Sequence, residues 1–356
     1  MSLDKKRVLA LNPFHGGSHK AFIEAWIKRS CHDWELLTLP GKRWKWRLQY
    51  AAVEFSHRVK ELVEEGKCWD LVFCTSMMNI AEFKALSGLN IPIITYFHEN
   101  QLTYPASRYQ HFDVNAALTN IKSAYASDAV WFNSYFHKND FLFAAKELLE
   151  KKNQSCEFLK YVEAKASVQY QAVADEFFTD RENQFSSPIK LVWAARWEEE
   201  KNPGLLFLAL RRLKEYGVPF EIAVLGEEMY TRLPCFDEAQ KEFEQEITHF
   251  GYAESIESYR KVLSESDVFI STADHEFFGV AAVEAVASGC IPVVPDHLAY
   301  PDVLEDFKEF FYKYRSSVSL AKTIEKIVEK KPVLKYDVEQ YSWKNRISFL
   351  DKALVM

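Results

Sequence analysis

Residues 271–295, STADHEFFGVAAVEAVASGCIPVVP, restrict the fold more than any other stretch, because they read as strand end, polar loop, glycine, short helix, glycine and strand in immediate succession. The preceding DVFISTA is apolar without alternation, as a strand covered on both faces of a parallel sheet should be. A helix is expected over 280–288. The same alternation recurs in RVLALN and the helix after it, in DLVFCTS, PIITYFH and DAVWFNS, and again in KLVWAAR, PGLLFLALRRLKEYG and FEIAVLGE. Strands and helices that alternate in this way build doubly wound α/β sheets, which bind ligands at the carboxyl ends of their strands. The chain's 356 residues suffice for two such domains. We expect the first over 1–178, with an amphipathic helix over 52–65. The second is expected over 179–336, opened by the linker-like TDRENQFSSP, and a helical segment over 337–356 closes the chain.

The residues at the expected strand ends suggest an anion site. The N–H groups of Phe278, Gly279 and Val280, with a helix dipole behind them, suit a phosphate. Glu276 and Glu284 bracket that turn, and a carboxylate pair beside an anion is better suited to the hydroxyls of a sugar and a ribose than to the anion. Arg196 and Lys201 follow the strand KLVWAAR, where two cations can neutralise a diphosphate as its bond to sugar breaks. Gly226 and Glu227 end FEIAVLGE and join the same donor set. In the first half, Gly16 and Gly17 allow a backbone to approach a ligand, with Ser18 placed to cap the helix and His15 and His19 given no chemical part. His98 ends PIITYFH and Glu99 and Asn100 follow it, at a strand end where open sheets bind ligands. His98 could hydrogen-bond a transferred sugar or the acceptor, Glu99 is a candidate acceptor contact or base, and Asn100 joins the acceptor set. Arg108, Tyr109 and His111 follow in a loop with further phosphate-binding potential.

The run KRWKWR stands out in an otherwise acidic chain of net charge −7. Lys42, Arg43, Lys45 and Arg47 can neutralise phosphates, and Trp44 and Trp46 can stack on unpaired bases, a combination that suits single-stranded RNA. General electrostatic attraction cannot recruit a nucleic acid to this chain, so any such contact is local. Six cysteines without a C-x-x-C spacing read as reduced, mostly buried thiols and point to the cytoplasm. The N-terminal apolar run is too short for a signal peptide or membrane span. No D-x-D metal motif occurs, so no metal is expected.

The run EFFGVAAVE resembles the paired-glutamate signature of retaining nucleotide-sugar glycosyltransferases with the GT-B fold. Together with Tyr300 and Pro301, and with LNPFHGGSHKAF, LTLPGKRWKWR, FHENQLTYP and AARWEEEKNP in that order, the longer run resembles the tRNA-queuosine mannosyltransferases. The resemblance implies two Rossmann-like domains facing across a cleft, with the Gly16-Gly17 loop towards the donor phosphates and His98 beside the sugar. It implies transfer of mannose from GDP-mannose to the cyclopentenediol of queuosine in a tRNA anticodon loop, with retention, the diphosphate's own oxygen taking the acceptor proton. The donor is then a co-substrate and no cofactor, membrane or obligate protein partner is called for. This chain lacks the Pro-Asn-Gly element of the family and carries Gln171-Ala172-Val173 there, to which no binding role is given. A transferase acting on a small-molecule, lipid or protein acceptor, and a non-catalytic nucleotide- or RNA-binding protein, are the alternatives.

Overall fold

The computed structural model describes residues 4–105, 112–179, 185–228, 233–334 and 337–355. It divides into two compact units, Met1–Ala172 with Lys344–Met356, and Val173–Trp343. The first unit contains strands β1 (Arg7–His15), β2 (Asp33–Pro40), β3 (Leu71–Thr75), β4 (Ile93–Phe97), β5 (Ala129–Phe132) and β6 (Ala166–Val168). They form one parallel sheet in the order β2-β1-β3-β4-β5-β6. The second unit holds β7 (Ile189–Ala194), β8 (Phe220–Leu225), β9 (Ile247–Gly251), β10 (Val268–Ile270) and β11 (Ile291–Val293). Its parallel order is β11-β10-β7-β8-β9. Every residue of β3, β4 and β10 is buried, which explains why those strands read as unbroken apolar runs.

Strand order reverses beside β1 in the first sheet, and between β7 and β10 in the second. Chain segments leaving the two sides of such a point diverge and open a crevice at the carboxyl edge. Lys201 leaves β7 and Glu276 leaves β10, so both stand at the switch point of the second sheet.

Three local expectations are corrected. The helix read over 52–65 spans Trp44–Glu64, so KRWKWR enters its first turns; Arg43 caps it in the left-handed conformation, with φ 55°. Ser18 lies inside its helix, Gly17–Arg29, whose N-cap is Gly16 without a side-chain bond. Of the six cysteines only Cys74 and Cys290 are buried, while Cys31 and Cys68 are exposed.

The unit boundaries fall at 172/173 and 343/344 rather than at 178/179 and 336/337. Backbone hydrogen bonds explain the shift. Val173 N–H donates to Tyr341 O at 2.7 Å, and Trp343 N–H donates to Val173 O at 3.1 Å. Thr179 bonds Ala287 O, and Ser186 donates to the Asp267 carboxylate. The described ends of the segment read as a linker are thus stitched into the second unit. The last helix, Trp343–Ala353, packs with the first unit beyond Trp343, through Asp351. Its carboxylate accepts bonds from Trp26 Nε1, Ser30 Oγ and the Cys31 N–H, each at 2.8 Å. Cys31, His32 and Asp351 lie within a metal's reach of one another. The carboxylate is already committed to those three donors, so the cluster is a latch for the helix.

Candidate active site

Three hydrogen bonds fasten the loop after β7 to the loop after β10. Asp274 N–H donates to Glu200 O at 2.7 Å, Thr272 Oγ1 to Lys201 O at 2.7 Å, and Lys201 Nζ to His275 O at 3.2 Å. They bring Lys201 Nζ to 3.1 Å from Glu276 Oε2, in a largely buried ion pair. Burial alone pushes the Glu276 carboxyl up. The Lys201 charge and hydrogen bond, with His275 and the Phe278 N–H, outweigh burial and hold it below the ordinary carboxylate range. Lys201 is therefore in direct ion-pair contact with Glu276, while its charge also lowers the Glu198 and Glu200 carboxyls beside it in sequence.

Gly279 adopts φ 87° and begins the helix Val280–Ala287. A Cβ there would also lie 2.9 Å from the ring of Tyr300, a buried residue whose hydroxyl pairs with Ser271 Oγ at 2.7 Å. The first N–H groups of that helix have no partner within it, so Gly279 and Val280 keep the anion-binding character expected of them. The Phe278 N–H does not, because it is spent on Glu276. Glu284, one turn into the helix, accepts a hydrogen bond from Tyr259 at 2.9 Å. Burial raises its carboxyl to about 7, against the opposing pull of that bond.

Arg196 lies beyond the end of β7 and is half exposed. Its guanidinium is 3.2 Å from Glu198 and 3.3 Å from Glu200. Burial and the neighbouring Glu200 raise the Glu198 carboxyl, while Glu200 stays ionised below its ordinary value because Glu198, Lys201 and Arg196 outweigh its burial. Gly226 is a packing residue. A Cβ on it would come within 1.9 Å of Ala195 O and 2.5 Å of the Trp197 ring. Glu227 is exposed, and its carbonyl accepts the Trp197 N–H.

In the first unit, the carboxyl edge gathers His19, His98 and Glu99. His19 Nε2 is 2.9 Å from Glu99 Oε2, and the rings of His19 and His98 are 4.2 Å apart. Burial, then His19 and His137, push the His98 imidazole well below its ordinary value, so it is neutral. Its Nδ1 is bonded by the side chain of Gln171, a residue to which the sequence reading gave no role. Asn100 is not available to a ligand. Its oxygen accepts from Leu102 N and Thr103 N at 2.9 and 3.1 Å, and its amide reaches Asp140 at 3.4 Å.

Gly16 and Gly41 touch backbone to backbone, with a Gly41 Cβ only 2.9 Å from Gly16 Cα. The contact places the start of the helix Trp44–Glu64 beside the Gly16-Gly17 turn. Lys42, Arg43, Lys45 and Trp46 are exposed there, whereas Trp44 and Arg47 are half-buried. Trp46 is 63% exposed and stacks at 6.1 Å on Tyr50, itself 48% exposed and one turn further along. Arg47 Nε donates to Pro40 O, and Lys45 Nζ is 3.6 Å from Asp113. Arg108, Tyr109 and His111 lie outside the described residues.

Residues 7–173 match the family described as tRNA-queuosine alpha-mannosyltransferase N-terminal, and residues 175–342 match glycosyl transferases group 1. Across 324 residues the chain is 36% identical to the tRNA-queuosine alpha-mannosyltransferase of Drosophila melanogaster, covering 85% of this chain and 83% of that one. The chain belongs to the tRNA-queuosine alpha-mannosyltransferase family. It is a glycosyltransferase. Solved structures place the fold in the GT-B class. Sucrose-phosphate synthase from Thermosynechococcus elongatus matches with TM-score 0.75 at 12% identity, covering 99% of this chain and 98% of that one. Anabaena HepE in complex with UDP matches with TM-score 0.67 at 12% identity, covering 98% and 99%.

The side chains in these contacts to which sequence reasoning gave no part are His19, Gln171, Tyr50 and Tyr259. The i, i+4 spacing of Trp46 and Tyr50 was visible, but the expected helix started too late to reveal it. Gln171 joins His98 across 73 positions, and Tyr259 joins Glu284 across 25, so no local pattern signals either. Among the described residues no helix is long and apolar enough to cross a membrane.

Proposed function

We propose that this glycosyltransferase moves mannose from GDP-mannose to the cyclopentenediol of queuosine in a tRNA anticodon loop, with retention of configuration, in the cytoplasm and without a metal ion. Similarity to the Drosophila tRNA-queuosine alpha-mannosyltransferase over 85% of the chain carries the reading. In the second domain, Lys201 and the turn at Gly279 and Val280 neutralise the departing diphosphate, with Arg196 recruited to it from Glu198 and Glu200. Glu276 holds sugar hydroxyls and Glu284 the ribose. In the first domain, the exposed cations Lys42, Arg43 and Lys45 contact RNA phosphates and the Trp46-Tyr50 pair stacks on an unpaired base.

The test is transfer from several radiolabelled nucleotide sugars to tRNA with and without queuosine, in the presence of EDTA. Label from GDP-mannose is expected in queuosine-containing tRNA alone. Label in tRNA lacking queuosine, or loss of transfer that magnesium restores, refutes the acceptor or the metal-free assignment respectively. In the same assay, Trp46→Ala is expected to weaken tRNA binding by roughly 1 to 3 kcal/mol. Reversing Lys42 and Arg43 to Glu flattens the log–log salt dependence by up to about 0.7 per lost single-stranded contact. Unaltered tRNA binding and salt slope in these variants would move the RNA to another face.

Glu284 gives a pH prediction. Its carboxyl in the free protein ionises at about 7, and ribose hydroxyls bind best to the ionised form, so donor binding releases a proton. Affinity is then complete above that pH and weakens as pH falls through it, by up to about tenfold per unit. Glu284→Gln should bind the donor more weakly at pH 8 and lose the slope. Calorimetric titrations between pH 5.5 and 8.5 read both, and a wild-type affinity flat over that range removes Glu284 from the ribose.

A further inference from the structure

Among the described residues the Glu284 carboxylate has one hydrogen-bond partner, the hydroxyl of Tyr259, which donates to Oε2 at 2.9 Å. A glutamate side chain is flexible, so a carboxylate that meets a ligand binds it better when something holds it beforehand. Tyr259 can do this because it is itself held. Its ring lies edge-on to Phe177, with centroids 5.9 Å apart. The helix that carries it, Ile256–Glu265, is capped by Ser255, whose side chain accepts from the Ser258 N–H at 3.1 Å. The far end of that helix is tied to the residue before β11: Cys290 Sγ donates to Leu263 O at 3.1 Å and lies 3.4 Å from Ser266 O. The backbone of Glu284 is fastened to the same surroundings, since Ser288 Oγ is 2.9 Å from Glu284 O and 3.3 Å from Phe177 O. Phenol and carboxylate thus meet on a frame built wholly within the second unit. Burial, then the Glu284 charge, push the Tyr259 hydroxyl well above its ordinary value, so it keeps its proton and is the donor of the pair. With Oε2 committed to that bond, Oε1 is left for a ligand hydroxyl.

We infer that Tyr259 is a positioning residue for donor binding, its hydroxyl holding Glu284 so that the remaining carboxylate oxygen meets the ribose of a nucleoside diphosphate. The inference rests on the ribose contact proposed above for Glu284. Tyr259 acts through Glu284 in two ways. It restricts the carboxylate, and it favours the ionised form that accepts from a ribose hydroxyl. Burial pushes the Glu284 carboxyl up and the Tyr259 bond pulls it down. Without the hydroxyl burial is unopposed and the carboxyl rises further. Donor affinity, which needs the ionised form, is then complete only above the raised value and is lost as pH falls through it. The helix of Glu284, Val280–Ala287, packs against β10, β11, the helix Ile256–Glu265 and the 3-10 turn Asp175–Phe177. Neither strand carries a titratable side chain. The other charged groups on these elements are Asp175, Glu176, Glu257, Arg260, Lys261 and Glu265, and none of them acts on the Glu284 carboxyl beside Tyr259. Cys290 acts on Tyr259, raising it slightly further.

The experiment titrates GDP into wild type, Tyr259→Phe, Glu284→Gln and the double variant by calorimetry across the same pH range. Tyr259→Phe keeps the ring against Phe177 and removes only the hydroxyl. It is expected to move the acid-side fall in GDP affinity up by about one pH unit, which lowers affinity about fivefold at pH 7 and far less at pH 8.5. In the Glu284→Gln background the same change should have no pH-dependent effect. In turnover the loss should appear in KM for the donor, with kcat at saturating donor within about twofold, because a ribose contact is made in ground and transition states alike. A Tyr259→Phe penalty that is equal in both backgrounds and at every pH overturns the inference, since the residue then acts through packing alone. Carbon NMR of the Glu284 carboxyl in the ligand-free protein separates the inference from the ribose reading. A titration point at higher pH in Tyr259→Phe than in wild type supports the positioning bond, and an unmoved one overturns it whatever Glu284 contacts. Wild-type GDP affinity in Glu284→Gln over the whole range removes the ribose contact instead, and the inference with it.

Discussion

Lys201→Ala is expected to lower turnover by about 10²- to 10³-fold, corresponding to roughly 3 to 4 kcal/mol of lost charge stabilisation. Two effects combine. The variant loses the cation paired with Glu276 beside the Gly279 turn, so negative charge growing on the departing diphosphate is expected to be no longer offset. It also strands Glu276, whose carboxyl is kept low by Lys201 against its own burial. Without that cation desolvation dominates and the carboxyl rises, so the acid side of the pH–rate profile should move to higher pH. Glu276→Gln should share the loss of turnover without that displacement, and Lys201→Arg should recover part of the activity. Donor hydrolysis, which needs no acceptor, reports the same losses if they belong to the donor site. Turnover within threefold of wild type in Lys201→Ala, with the fold verified by melting, would remove the Lys201–Glu276 pair from the reacting centre.

Gly226→Ala is the substitution with the largest expected effect on stability. Its Cβ has no room, lying 1.9 Å from the Ala195 carbonyl oxygen and 2.5 Å from the Trp197 ring. Trp197 is stacked on Phe236 with ring centroids 4.0 Å apart, so the clash cannot be relieved by turning one side chain into solvent. The ends of β7 and β8 must separate instead. Overpacking of this kind costs roughly 1 to 3 kcal/mol or more, which for a domain of this size lowers Tm by about 2 to 12 °C. Activity falls as well, because Ala195 and Trp197 lead directly into the loop that carries Lys201. Gly204→Ala is the control, since nothing lies within 4 Å of a Cβ there, and its Tm should be unchanged or slightly raised. Equal melting temperatures for the two variants would contradict the close approach at Gly226.

The alternation of apolar runs and helical patterns was enough to assign both parallel sheets, because a strand covered on two faces must be apolar throughout and β3, β4 and β10 are. The turn expected to meet the donor was legible as a structural element for a similar reason. Glu276, Gly279 and Glu284 lie on one strand-to-helix turn, where local spacing and the steric freedom of glycine set their geometry. Less local features were read less well. Gly226 was assigned to the donor on its position at a strand end, although its need for a missing Cβ arises from Ala195 and Trp197, some thirty positions away. Asn100 was assigned to the acceptor for its polarity, but Asp140 and the turn at Leu102 and Thr103 use its side chain.

What the sequence by itself determined is therefore what short-range chemistry determines: two doubly wound domains, the glycine turn flanked by glutamates, and the basic aromatic run. What only the tertiary structure decided is which charges and hydrogen-bonding groups meet. Lys201 is followed by helix and strand before Glu276 returns to it across 75 positions, and His19 meets Glu99 across 80. Gln171, set aside in the sequence, holds His98 through Nδ1. Strand propensity and periodicity depend on neighbours a few residues apart, whereas a buried polar group finds its partner wherever the sheet order brings another strand end beside it. The ionisation of Glu276, Glu284 and His98 follows from that placement and from burial, neither of which is encoded within a local stretch of the chain.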